Sequence, residues 1–265
     1  MKALITGASS GIGRDMARIL SKKGYNLVLV ARDKERLNEL KKELEKNNVK
    51  IEVYDTDLSI EENCKDIHKN VKNVDILINN AGFGDCGNFT KTDLDKDIKM
   101  IQTNITAYHI LTKLYLKDMK EKDSGKILNV ASIAGFIPGP LMATYYATKA
   151  YVVRLSEGIR EELKKEKSKV QISILCPGPV DTNFNKVANV QFHAREADSK
   201  QIAEYAINKL EKGKFYIIPG IDIKLARIGA KFMPASFISK MTYKVQKRKI
   251  EGWNKLTIIA KYVKI

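Results

Sequence analysis

Seven short apolar runs recur along the chain, at 2–5, 26–31, 50–54, 74–79, 126–131, 170–176 and 215–218. Between them lie amphipathic segments near 12–23, 33–47, 60–72, 94–122, 142–166 and 199–211. Most of the runs are dense in Val, Ile and Leu, as strands covered on both faces must be. The intervening segments carry helical stripes; Leu37, Leu40 and Leu44 stand among Lys and Glu. Repeated βα alternation requires a parallel sheet with helices on both faces. The reading is therefore α/β: one doubly wound domain of about seven strands over residues 1–220, followed by a basic helical extension over 221–265.

Composition removes several other classes. With 265 residues, 44% hydrophobic, the chain buries a substantial core. Cys64, Cys86 and Cys176 are widely spaced, which fits neither a disulfide framework nor a zinc site and points to a reducing cytoplasm. His68, His109 and His193 also lack metal-ligand spacing, so no metal is expected. The chain starts directly in a strand, Lys2-Ala3-Leu4-Ile5, which argues against a signal peptide. Ile127 to Thr148 is free of charge, but Gly135, Pro138, Gly139 and Pro140 interrupt it. A membrane span must satisfy its backbone as continuous helix, so this stretch reads as strand, loop and helix start.

The first strand runs into Thr6-Gly7-Ala8-Ser9-Ser10-Gly11-Ile12-Gly13, and a helical pattern follows. Glycines there permit a tight turn and close approach of backbone to a pyrophosphate. The helix start offers free N–H groups and a positive dipole end to the anion. A P-loop lysine is missing, which excludes an ATPase at this loop. A Rossmann-type dinucleotide site is the expectation.

The TGxxxGxG spacing resembles the nucleotide loop of the short-chain dehydrogenase/reductase family, and further marks of that family follow in order. Asp57-Leu58 comes after the third strand, where the family contacts adenine. Asn79-Asn80-Ala81-Gly82 matches the NNAG motif, and Asn104 stands where the family has its catalytic asparagine. Ser132 is followed by Tyr145-Tyr146-Ala147-Thr148-Lys149, a YxxxK motif. Pro177-Gly178-Pro179-Val180-Asp181-Thr182 resembles the PGxVxT nicotinamide loop.

The resemblance implies a carbonyl–alcohol oxidoreductase with Asn104, Ser132, Tyr145 and Lys149 as catalytic residues. It implies cofactor contacts from Gly7, Ser9, Ser10, Gly11, Ile12, Gly13, Arg32, Asp57, Leu58, Asn80, Ala81, Gly82, Tyr145, Lys149, Pro177, Gly178, Val180 and Thr182. Tyrosine and lysine four apart share a helix face, and a nearby ammonium lowers a phenol's pKa. Tyr145 is thus the expected acid/base and Tyr146 its neighbour. Ser132 would hold the substrate oxygen, Lys149 would also grip the ribose, and Asn104 would hold a relay water or else merely bend its helix or bond a carbonyl.

The end of the second strand sets the cofactor. An acidic residue there favours NAD, an arginine NADP. Ala31 is followed by Arg32, and Asp33 reads as a helix cap. NADP(H) is therefore preferred, with NAD(H) as the alternative. The segment 183–199, with Asn183, Phe184, Val187, Val190 and Phe192, reads as a substrate lid over a hydrophobic ketone or 3-oxoacyl compound. A regulatory dinucleotide-binding protein is the rival reading of the same fold.

Charge is the remaining feature. The net charge is +16; from Lys214 to Ile265 there are 12 Lys/Arg and 2 Asp/Glu. No nucleic acid is expected. In the tail Phe237, Ile238, Met241 and Val245 fall on one helical arc beside Lys240, Lys244 and Lys247. Packing of that arc on the domain or a second subunit is preferred to peripheral membrane contact. The resemblance also implies a homodimer or homotetramer paired through 94–122 and 142–166.

Overall fold

The computed structural model describes residues 1–182, 184–188 and 197–262. Four strand–helix units come first: β1 (Lys2–Thr6) and α1 (Gly11–Lys22), β2 (Asn26–Ala31) and α2 (Lys34–Glu45), β3 (Ile51–Asp55) and α3 (Glu61–Asn70), then β4 (Ile76–Asn79) with α4 (Leu94–Ile101) and α5 (Ala107–Glu121). After them come β5 (Lys126–Val130), α6 (Ala143–Lys165), β6 (Gln171–Leu175), β7 (Val180–Asp181) and α7 (Phe184–Val187). The chain continues through β8 (Ala197–Asp198), α8 (Ser199–Glu211), β9 (Tyr216–Ile217), α9 (Ile221–Ala230) and α10 (Ala235–Tyr262).

Seven strands form one parallel sheet in the order β3-β2-β1-β4-β5-β6-β9. Every other side chain of a strand enters the opposite face. Ile5, Leu29 and Ile78 meet α1, α2 and α8 on one side, through Met16, Leu37 and Ile207. Leu4, Val28 and Leu77 meet α3, α5 and α6 on the other, through Ile67, Leu111 and Val152. Both faces are dry, so the runs had to be apolar throughout.

The segment expected as one helix over 94–122 is α4 and α5 joined by a π turn at Gln102–Thr106. A short pairing of β7 with β8, Val180 to Ala197 and Asp181 to Asp198, was not foreseen. Within the expected lid, Phe184–Val187 is helical; Asn183, Val190 and Phe192 lie outside the described residues. No helix among the described residues is long and apolar enough to cross a membrane.

The extension is helical, but the expected packing of its apolar arc holds for one residue only. Ile238 is 8% exposed while Phe237 and Met241 are 51% and 50% exposed. Thr242 donates to Pro138 O, 3.0 Å, and Gln246 donates to the Tyr146 hydroxyl, so the seated face runs Ile238–Thr242–Gln246. Phe237, Met241 and Val245 stay exposed because the domain covers only the far edge of that arc, and they stand on the flank beside it.

One side chain couples the two halves of the sheet. Thr6 ends β1 fully buried, and its hydroxyl accepts from the backbone N–H of Asn80 (2.9 Å) and Ala81 (3.0 Å) just beyond β4. Thr6→Val keeps the shape but strands both donors, each worth about 1–3 kcal/mol when buried without a partner. Urea unfolding should show a stability loss of at least about 1 kcal/mol; an unchanged midpoint would mean that these bonds do not couple the halves.

Candidate active site

Strand order reverses between β1 and β4, and ligands of such sheets bind at the carboxyl ends beside that point. A cleft of about 440 Å³ lies there. The strand ends supply its wall: Gly7 after β1, Arg32 after β2, Asp57 after β3, Asn80 after β4, Ser132 after β5 and Pro177 after β6.

The glycine loop fits closely under the β4 end. Gly7 has φ +66°, and a Cβ on it would stand 2.8 Å from Ala81 Cα. A Cβ on Gly13 would stand 2.5 Å from both Gly7 O and Asn80 Nδ2. Asn80 Nδ2 in turn donates to Thr6 O (3.0 Å) and Gly7 O (3.1 Å), fixing the loop from below. The first turn of α1 carries no acidic side chain, so its free N–H groups face the cleft with nothing to compete for them. These residues fit a dinucleotide's pyrophosphate. Ser9, Ser10, Gly11, Ile12, Leu58, Ala81, Gly82, Gly178, Val180 and Thr182 also line the cleft. Gly13 lies beneath the wall rather than on it.

At the β2 end, Asp33 is occupied twice. One carboxylate oxygen caps α2 by accepting from Arg36 N (3.0 Å), and the other pairs with Arg36 Nε (3.2 Å). Arg32 is exposed beside it on the cleft wall, and Arg36 lines the same end. A smaller hollow of about 160 Å³ adjoins there, walled by Ser9, Arg14, Arg18 and Arg36 together with Glu39, Leu40 and Glu43. Sequence reading missed Arg36; its signal was a position one helical turn beyond Arg32.

Ser132 and Tyr145 meet across the cleft floor. The Ser132 hydroxyl accepts from Ala134 N (3.2 Å) and donates to Pro177 O (3.5 Å), and its nearness to Tyr145 draws the phenol's pKa down. Burial outweighs that contact and pushes the Tyr145 phenol well above its ordinary range. This reverses the expected lowering. The Lys149 ammonium sits 5.8 Å from the Tyr145 ring centre and donates to Val130 O at 2.9 Å. Its own burial lowers its pKa to about 8, so it is a weakened source of positive charge.

Asn104 stands in the π turn, fully buried and behind the wall. Its amide accepts from Phe83 N (3.1 Å) and donates to Phe83 O (2.9 Å) and to Thr148 Oγ1 (3.1 Å). That is the carbonyl-bonding alternative of the sequence reading. Tyr146 is tied to Gln246 of α10 and lies over Gly139. Met142, Tyr146, Phe184 and Val187 give the open end an apolar lining. Among the described residues no cluster of His, Cys, Asp or Glu is arranged to hold a metal.

Known proteins share this arrangement. The short chain dehydrogenase family profile matches residues 1–191. An uncharacterized oxidoreductase of Staphylococcus epidermidis is 34% identical over 226 residues, covering 84% of this chain and 96% of its own length. A short-chain dehydrogenase from Sphingobium yanoikuyae in complex with NADPH superposes with TM-score 0.79 at 28% identity, over 88% of this chain and 95% of that one. A bulky-bulky ketone specific alcohol dehydrogenase from Comamonas testosteroni does so with TM-score 0.75 at 30% identity, over 88% and 94%. The family profile and these relatives define a dinucleotide-dependent oxidoreductase. The chain belongs to the short-chain dehydrogenase/reductase family and is an NAD(P)-dependent enzyme.

The buried lysine makes stability depend on pH in a defined sense. Lys149 releases its proton near 8 in the fold and near 10.5 when unfolded. Between those values the unfolded chain holds more protons, so this group makes stability rise with pH. The stability difference between wild type and Lys149→Met should shift in favour of wild type from about pH 8 to 10.5, followed by denaturant unfolding. Parallel curves would refute it.

Proposed function

We propose that the enzyme reduces a hydrophobic ketone, or oxidises the corresponding secondary alcohol, with NADP(H) as its preferred cofactor. The carrying observation is Ser132 beside the half-buried Tyr145, with Lys149 behind the same ring, at the apolar end of the cleft. A neutral phenol is an acid, which suits the reductive direction. NADPH held by the glycine loop and the Arg32 end of the cleft would supply the hydride.

Ser132 donates a hydrogen bond to the carbonyl oxygen and holds it against Tyr145. Tyr145 passes its phenolic proton to that oxygen as charge develops there. The phenolate left behind is what Lys149 stabilises, at short range in a low-dielectric site. Asn104 keeps the Gly82–Phe83 backbone and Thr148 in place, which fixes the helix turn bearing Tyr145 and Lys149. It acts as a positioning residue in this reading.

Met142, Phe184 and Val187 favour an apolar substituent on the carbonyl, and α7 belongs to the lid. The cysteines, none in a disulfide, suit a reducing cytoplasm. Exposed Leu94, Ile98 and Ile101 on α4 are consistent with pairing of two copies through α4–α5 and α6.

Two substitutions test the chemistry. Tyr145→Phe should preserve cofactor binding and lower kcat by at least about 10²-fold, the smaller end of general-acid contributions. Tyr146→Phe, which loses only its bond to α10, should retain most turnover; a dead Tyr146→Phe enzyme would place the acid one residue later.

Cofactor choice rests on Arg32. Its guanidinium can meet a 2′-phosphate through paired, charge-assisted bonds, worth about 1.5–3 kcal/mol or roughly tenfold to a hundredfold. Arg32→Ala should remove that preference for NADPH and leave the NADH constants nearly unchanged. A wild type that prefers NADH in kcat/KM would assign the ribose to Asp33 instead.

A further inference from the structure

We infer that the outer faces of α9 and α10 form a docking surface for an anionic lipid bilayer. The inner side of α9 is seated: Ile223 packs into the sheet-side core, and the Arg227 guanidinium lies over the rings of Tyr216 (3.7 Å) and Phe136 (4.8 Å). Its other side is not. Ile221, Leu225 and Ile228, carried on to Phe232, follow at intervals of four, three and four and so make one stripe. Ile221 is 75% exposed and Phe232 84%, and no residue of α9 is fully buried.

The next helix repeats the plan. Ile238, Thr242 and Gln246 hold α10 to the domain, while Phe237, Met241 and Val245 stay exposed on the flank beside them. A single helix with a few exposed apolar residues needs no explanation. Two consecutive helices, each holding one side to the domain and leaving a row of apolar side chains exposed, present apolar surface of the kind that marks an interaction site.

Charge chooses the occupant. From 221 to 248 there are seven basic residues against Asp222 alone. Among the described residues, Lys231, Lys240 and Lys244 are exposed and have no carboxylate partner. A second copy paired through this face would set these cations against each other. A nucleic acid would meet the phosphate requirement but offers nothing to the apolar stripe. An anionic bilayer satisfies both, with apolar side chains entering the interface and lysines reaching the headgroups. The inner side of α10 touches Tyr146 at the cleft, so a docked enzyme holds its substrate mouth about one helix diameter from the lipid.

The full chain is sedimented with vesicles of phosphatidylcholine alone and of equal parts phosphatidylcholine and phosphatidylglycerol, at low and high salt. Binding is expected to the mixed vesicles only, weakened by salt. Lys240→Glu with Lys244→Glu should reduce it at least about tenfold. Leu225→Asp with Phe232→Asp should abolish it, and Ile60→Asp, an exposed apolar position away from both faces, should not change it. Circular dichroism and NADPH titration confirm that each variant is folded. Wild type left in the supernatant overturns the proposal, as does equal binding to both vesicle types or equal pelleting of all variants. Sedimentation velocity without lipid gives the last arm: if Leu225→Asp with Phe232→Asp splits an oligomer, the face is a subunit interface and not a membrane surface.

Discussion

The hydroxyl of Thr6 is the contact on which the site depends. Strands β1 and β4 separate at their carboxyl ends because the chain turns in opposite directions from them, which opens a crevice with exposed backbone. Two N–H groups at the start of the β4 loop end on one oxygen at the end of β1. Asn80 returns the bond to the glycine loop through its amide. The close approach of Gly7 and Gly13 to this junction leaves no space for a side chain. A floor is thus built from short polar links rather than from apolar packing, in the one place where the sheet's own ladder is interrupted.

A second balance is set by burial. Tyr145 and Lys149 are both withdrawn from water, and desolvation favours the neutral form of each. The chain alone therefore stores a proton on the phenol and holds the lysine close to losing one. Ser132 is the group whose contact opposes this at Tyr145. A negative charge formed on the phenol during reaction is then met by the Lys149 ammonium, which a pKa near 8 leaves mostly protonated at neutral pH.

Much of this was legible in the chain. Dry faces on both sides of a sheet force unbroken apolar runs, so strands such as Leu27–Ala31 announced themselves. Glycine positions showed where backbone must approach backbone. Direction of pKa shift at Tyr145 was not legible, because sequence spacing places a lysine near a phenol but gives no depth of burial. The π turn escaped for a different reason: Thr103, Asn104, Ile105 and Thr106 are weak helix formers, but weak propensity does not tell a π turn from an ordinary helical turn. The face of α10 that would be seated was also hidden, since Ile238 and Phe237 are equally apolar and only the position of Tyr146 and Pro138 decides between them.

The π turn has a geometric effect of its own. An α-helix advances about 100° per residue, so one surplus residue in an uninterrupted helix would rotate everything after it off its target. Taken up as a wide turn, the surplus is absorbed locally. Met100 before it stays buried, as do Tyr108, Leu111 and Tyr115 after it, which pack on the sheet. Asn104 sits at the point of absorption, pushed inward to Phe83 and Thr148. The long segment from Leu94 to Glu121 therefore behaves as two helices brought into phase by one polar side chain.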